Sequence, residues 1–174
     1  TMQHTETLND LSGVVAADRA HVWHHLSQHK QYETVDPRVF VEGKGLTLWD
    51  ATGREFLDGL SGGVWTVNVG YGRPEIAQAI ADQAHQLAYY HAYAGHGSEA
   101  SITLAKMVME RAPQGMARVY FGLAGSDANE TNVKLVWYYN NIRGLPEKKK
   151  IISRWRGYHG SGLMTGSLTG LDLF

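Results

Sequence analysis

Apolar residues recur at helical spacing over most of the chain and switch to short alternating runs only in its first third. Residues 10–29 carry a thin apolar stripe that starts at Asp10 and reaches His24, His25 and His29, which predicts an N-terminal helix. Residues 38–41 and 46–49 are β-type runs around Glu42-Gly-Lys-Gly45, and Glu55–Leu57 follows the turn Ala51-Thr-Gly-Arg54. The pattern predicts a small antiparallel sheet. Residues 60–72 are studded with glycine and hold too many breakers for a regular helix, so they are expected to cross between two lobes.

After Arg73, Pro74 is placed for the first turn of a helix, and Ile76, Ala79, Ile80, Gln83, Ala84 and Leu87 continue it at helical spacing. Residues 98–111 predict a second helix that turns Ile102, Ala105 and Val108 or Met109 inward and stops before Pro113. Residues 118–121 predict a strand, 126–143 a helix and 150–153 another strand, a β–α–β unit. The last helix carries two stripes, Leu135, Tyr138, Tyr139 and Ile142 beside Val133, Val136 and Trp137. A helix apolar on two sides needs more covering protein than 174 residues easily supply, and left bare it drives association.

Composition narrows the class. The chain has 174 residues, 43% of them apolar and 19% charged, as in ordinary globular proteins. Its formal net charge is −1, and its longest basic run is Lys148-Lys149-Lys150, so no polyanion partner is indicated and nucleic acid is not expected. Cysteine is absent, which removes disulfides, thiolate metal sites and a cysteine nucleophile. No apolar run approaches membrane-spanning length, and residues 1–30 lack a signal-peptide core, so the expected location is cytoplasmic, away from membranes. His21, His24 and His25 have near-helical spacing but no matching carboxylates, and no metal is expected.

Candidate chemistry collects in two motifs. In Gly122-Leu-Ala-Gly-Ser-Asp-Ala-Asn-Glu130, Gly125 and Ser126 stand at a helix start, where unpaired N–H groups and the dipole attract an anion and the hydroxyl can donate to a phosphate. The same serine could simply cap the helix. Asp127 and Glu130 suit a helix N-terminus, but beside a phosphate they must point away. In Trp155-Arg-Gly-Tyr-His-Gly160, Tyr158 and His159 follow a strand and offer a phenol and an imidazole to a flat ring, although Tyr158 could equally be a boundary tyrosine with a wet hydroxyl. Trp65 is either a packing anchor or a pocket wall. Tyr89, Tyr90, His91 and Tyr93 form an aromatic stretch of the kind found at interfaces.

These residues resemble the class III, or omega, aminotransferases, which are pyridoxal-phosphate enzymes of fold type I. Asp36-Pro37, Gly45-Leu-Thr-Leu-Trp-Asp-Ala-Thr-Gly53 and Phe56-Leu-Asp-Gly-Leu-Ser-Gly-Gly-Val-Trp65 look like that family's N-terminal lobe. Asn68-Val-Gly-Tyr-Gly72, with Pro74-Glu75, looks like the start of its large domain. Gly125-Ser-Asp-Ala-Asn-Glu130 is similar to its phosphate-binding motif, with Ala124 in place of the usual Ser and Asp127 in place of the usual Glu, and Gly157-Tyr-His-Gly160 is similar to its ring-stacking turn.

The resemblance implies an α/β fold: a helix and small α+β lobe over residues 1–67, then over residues 68–174 the first part of a mostly parallel α/β domain that binds pyridoxal phosphate. It implies that Gly125 and Ser126 hold the phosphate, that Tyr158 and His159 contact the ring, that Trp65 lines the substrate pocket and that Tyr93 reaches the other subunit's site in a homodimer. It also implies that the Schiff-base Lys lies beyond Phe174, so no catalytic residue is expected in this chain and the chain alone is expected to be inactive. The implied reaction moves an amino group from an amine or omega-amino acid to a keto acid such as pyruvate. Alternatives are an aminomutase or decarboxylase of the same fold type, or a non-catalytic fragment that binds phosphate-bearing ligands.

Overall fold

The alternating runs of the first third pair as their pattern predicts. In the computed structural model, which describes residues 11–172, β1 (Phe40–Lys44), β2 (Thr47–Asp50) and β3 (Glu55–Leu57) form an antiparallel sheet in that order. Lys44 lies opposite Thr47 and Glu42 opposite Trp49, and an irregularity then sets Phe40 opposite Asp50. On the other side Thr47 faces Leu57 and Trp49 faces Glu55. Asp50 ties the β2–β3 turn: its carboxylate accepts from the Thr52 N–H (2.9 Å), the Thr52 hydroxyl (2.6 Å), the Arg54 N–H (3.1 Å) and the Arg54 Nε–H (2.9 Å). The Thr52 hydroxyl first, then Arg54 and the turn amides, hold the Asp50 carboxyl well below the usual carboxylate range.

Two compact units divide the chain, Thr1–Tyr90 and His91–Phe174. In the first, α1 (Leu11–His21) is shorter than the helix expected over 10–29. Asp10 lies outside the described residues. The helix ends at His21, and Leu26, with a positive φ of 54° that no α-helix accommodates, bars its continuation toward His29, where a 3-10 turn at His29–Glu33 follows. The glycine-studded stretch is irregular, as expected, and returns to the sheet, where Tyr71 and Gly45 exchange N–H···O bonds of 2.8 and 3.0 Å. Gly70 makes that approach possible, since it has φ +82° and a Cβ there would meet the Gly45 carbonyl at 2.8 Å. Pro74 opens α2 (Pro74–Leu87).

The second unit holds α3 (Glu99–Met109), α4 (Gly125–Ile142) and α5 (Leu163–Leu168). Ser98 caps α3, accepting from the Ser101 N–H at 3.4 Å. The strands expected over 118–121 and 150–153 are not laddered; both stretches lack a strand partner among the described residues. Their apolar content suits a buried parallel strand, but a strand exists only where a neighbour completes its hydrogen bonds, and Ile152 stands 97% exposed. A single parallel bridge, Trp155 with Gly170, marks where pairing begins.

Among the described residues Val133, 7% exposed, is the one buried hydrophobic side chain. The Leu135, Tyr138, Tyr139 and Ile142 stripe of α4 is bare, as are Ile80 on α2 and Ile102 on α3. The accessible surface is 14765 Å² for 19.3 kDa. A folded monomer of that mass exposes about 8,500 Å². Local helices and one hairpin sheet are formed, while most apolar faces have no protein against them.

Candidate cofactor site

One face of α4 organises the second unit. Ser126, Asn129, Glu130 and Val133 are spaced i, i+3, i+4 and i+7, so they line a single helical face, and the three polar residues reach the loop that follows Tyr158 or the start of α5 behind it. The Ser126 Oγ accepts from the Ser161 N–H at 3.3 Å, and the Asn129 amide donates to the His159 carbonyl at 2.9 Å. Glu130 accepts through one carboxylate oxygen from the Met164 N–H (2.9 Å), the Thr165 N–H (2.9 Å) and the Thr165 hydroxyl (3.2 Å). Those are first-turn donors of α5, so a side chain from one helix caps another. Farther along, Trp137 Nε1 donates to the Lys149 carbonyl at 2.9 Å and Asn140 to the Lys148 carbonyl at 3.1 Å.

Glycine lets the loop press onto that face. A Cβ on Gly160 would sit 2.6 Å from Ser126 Oγ and 2.5 Å from Thr165 Oγ1, and one on Gly162 would sit 2.5 Å from Glu130 Oε1. The loop is pinned from its far side as well: the His159 N–H donates to Thr169 Oγ1 at 3.0 Å, and Thr165 and Thr169 are both buried. His159 folds its ring over Gly157, where its Nε2 is buried with no hydrogen-bond partner among the described residues. Tyr158, between these fixed points, is 49% exposed.

The start of α4 has the features of an anion site. Ala124 occupies the cap position without a side-chain acceptor, and the N–H groups of Gly125, Ser126 and Asp127 find no acceptor among the described residues. A Cβ on Gly125 would meet nothing within 4 Å, so open space adjoins the backbone there. Both carboxylates are turned to other work: Asp127 accepts from the Leu123 N–H at 3.0 Å, and Glu130 caps α5. Free amides, a hydroxyl that keeps its proton to donate, and carboxylates engaged elsewhere suit a phosphate. The orphaned His159 nitrogen and the half-exposed Tyr158 ring stand on the loop tied to the same helix face. The residues therefore fit a phosphate-bearing aromatic group.

The family model described as aminotransferase class-III matches residues 28–172. The chain belongs to the class III aminotransferases. It is 58% identical over 164 residues to the hypotaurine/taurine–pyruvate aminotransferase of Paracoccus denitrificans, covering 94% of this chain and 35% of that protein. It is 56% identical over 137 residues to the diaminobutyrate–2-oxoglutarate transaminase of Halomonas elongata, covering 79% and 29%. Among solved structures, it superposes on an (S)-enantioselective omega-transaminase from Thermomicrobium roseum with a TM-score of 0.88 at 37% identity, covering 93% of this chain and 36% of that one. An omega-transaminase from Pseudomonas jessenii in complex with PMP gives a TM-score of 0.86 at 34% identity, covering 91% and 35%. The chain thus spans about a third of the length of the curated relatives it matches. No helix among the described residues is long and apolar enough to cross a membrane.

Within this class III aminotransferase chain, the second unit brings Gly125, Ser126, Tyr158 and His159 together through α4. It does not bring in Tyr93 among the described contacts: that ring stacks on His91, centroids 4.3 Å apart and planes 18° apart. Trp65 belongs to the first unit, where it is 72% exposed, so most of its surface is left open. Sequence reasoning missed the jobs of Asn129, Glu130, Thr165 and Thr169. The one available signal was the spacing of Ser126, Asn129 and Glu130, which share a helical face. Their partners lie some 30 residues on and leave no local pattern.

Proposed function

We propose that this chain is the N-terminal portion of a pyridoxal-phosphate-dependent aminotransferase that takes an amino group from an amine or omega-amino acid and gives it to a keto acid such as pyruvate. The donor leaves as a carbonyl compound and the acceptor as an amino acid. The observation that carries the reading is the set of unpaired first-turn amides at Gly125–Asp127, tied through Ser126 and Asn129 to the Tyr158–His159 loop. The names of its relatives, which pair taurine with pyruvate or diaminobutyrate with 2-oxoglutarate, favour amino transfer over mutase or decarboxylase chemistry and favour omega-amino donors.

When bound, pyridoxal phosphate supplies an electron sink for the bond broken at the amine-bearing carbon. The chain's own residues bind and orient. Gly125 lets the backbone close on a phosphate, Ser126 donates its hydroxyl proton to a phosphate oxygen, and the α4 dipole favours the negative charge. Tyr158 lies against the ring face and shields it from water, and His159 presents its uncommitted nitrogen to the same group. Trp65 forms a wall of the substrate pocket. Tyr93 reaches the partner's site in a cytoplasmic homodimer. The Schiff-base Lys lies outside this chain, which is accordingly inactive by itself. The division of the parent into a small lobe over 1–67 and a large domain from 68 onward belongs to the same proposal, as does the absence of nucleic-acid and membrane partners.

The test is cofactor affinity in a full-length protein carrying this sequence. Tyr158→Ala is expected to weaken pyridoxal-phosphate retention strongly. Ser126→Ala is expected to weaken it by about 1.5–3 kcal/mol, the worth of one hydrogen bond to a charged group. Unchanged affinity in both variants contradicts the pocket.

A further inference from the structure

A strained stretch of backbone in the first unit carries Trp65, the residue proposed as a substrate-pocket wall. Ser61, Gly62, Gly63 and Trp65 all take positive φ, at 52°, 84°, 84° and 60°. Glycine adopts such angles readily, but a bulky aromatic residue does so only when its surroundings dictate it. Wide-turn bonds close the segment: the Trp65 N–H donates to the Leu60 carbonyl at 2.9 Å, and the Thr66 and Val67 N–H groups donate to the Ser61 carbonyl at 2.8 and 2.9 Å. The turn leaves Trp65 72% exposed. Strain maintained for a side chain that packs on little is the mark of a ligand contact.

What dictates the turn is a carboxylate and a phenol. Asp58 accepts from the Leu60 N–H at 2.9 Å through one oxygen, and from the Gly62 N–H at 2.6 Å and the Tyr71 hydroxyl at 2.7 Å through the other. Tyr71 in turn is fixed to the sheet. Its backbone bridges Gly45, and its ring lies so close to β1 that a Cβ on Gly43 would come within 2.7 Å of it. A chain of contacts therefore runs from β1 through Tyr71 and Asp58 to the amides that open the strained turn. The Tyr71 hydroxyl holds the Asp58 carboxyl below its ordinary value, and Asp58 in return pushes the Tyr71 phenol up, so the pair stays carboxylate and phenol at neutral pH.

We infer that Asp58 and Tyr71 are positioning residues that aim the Trp65 indole and thereby set the size of amine donor the enzyme accepts. The inference rests on the substrate-wall role proposed for Trp65. With the clamp intact the indole is held in one place and excludes bulky donors. With the clamp loosened it can swing, and bulky donors gain.

The test uses the full-length holoenzyme with Tyr71→Phe, which removes only the hydroxyl and leaves the ring on Gly43. The ratio of kcat/KM for a bulky arylalkylamine to that for a small omega-amino acid is expected to rise about tenfold, the scale of one charge-assisted hydrogen bond. Asp58→Asn, which exchanges one acceptor oxygen for a donor, is expected to move the ratio the same way. In a Trp65→Ala background Tyr71→Phe should add nothing, because it acts through the indole. A readout independent of turnover is the fluorine resonance of Trp65 in fluorotryptophan-labelled protein, assigned by its loss in Trp65→Ala and expected to shift in Tyr71→Phe. An unmoved resonance, or an equal effect of Tyr71→Phe with and without Trp65, overturns the clamp. A shifted resonance with a donor ratio that Trp65→Ala also leaves unchanged overturns the substrate-wall reading and spares the clamp.

Discussion

Glu130→Ala in the full-length protein is expected to free the start of α5 and to loosen the cofactor without touching it. The substitution strips the acceptor from the Met164 N–H, the Thr165 N–H and the Thr165 hydroxyl at once. Thr165 is fully buried, so water cannot readily replace the lost bond there. An unsatisfied buried donor costs about 1–3 kcal/mol, and a helix of six residues has little else to hold it. Amide exchange at Met164 and Thr165 should therefore accelerate at least tenfold. Pyridoxal-phosphate retention should fall with it, because the loop that carries Tyr158 and His159 loses one of its ties to α4. Glu130→Gln keeps an oxygen of the same reach and is expected to recover most of the protection. If exchange at these two amides is unchanged in Glu130→Ala, the cap is ornamental and the loop is held by Ser126, Asn129 and Thr169.

A contrast between two glycines gives the second large effect. Gly160 has φ +137°, and a methyl there would lie 2.5 Å from Thr165 Oγ1 and 2.6 Å from Ser126 Oγ. Gly160→Ala must push the loop off α4, break the Ser161–Ser126 bond and strain the backbone, for a combined loss of about 2–5 kcal/mol of stability. Gly125→Ala is different, since its methyl meets nothing within 4 Å and the backbone there is ordinary helix. Alanine suits a helix better than glycine, so this variant should fold as well or better. Its methyl projects into the open space where the phosphate is proposed to sit, so cofactor affinity should fall while melting temperature holds. Thermal unfolding and cofactor titration of the two variants separate a packing glycine from a ligand glycine. Equal cofactor affinity in Gly125→Ala and the parent contradicts the phosphate assignment at this helix start.

The features that could be read in advance were those written locally. Pro74 announced the first turn of α2, Ser98 announced α3, and the alternation around Gly43 and Thr52 announced the hairpin sheet. The pairing of Gly125 with Ser126 followed from small residues at a helix start. What was not legible depends on distant partners. α5 is too short for any periodicity and owes its start to Glu130, which lies more than 30 residues earlier. Leu26 and Trp65 take left-handed angles although neither is a glycine, so composition does not mark those two positions. Residues 118–121 and 150–153 have strand composition but lack strand neighbours among the described residues. The resemblance to class III aminotransferases supplied what local pattern could not, namely the expectation that two separate motifs serve one cofactor. The α4 face offers a physical means, since Asn129 bonds to the second motif at His159 and Ser126 and Glu130 bond to the residues just after it.

The central claim is that the start of α4 receives a phosphate while the loop tied to it receives the ring. The most direct measurement is a crystal structure of the full-length protein soaked with pyridoxal phosphate. The account predicts phosphate oxygens within about 2.7–3.2 Å of the Gly125 or Ser126 N–H and of Ser126 Oγ, with the Tyr158 ring against the pyridine face. Cofactor density seated elsewhere, with only water on the first-turn amides of α4, would contradict it.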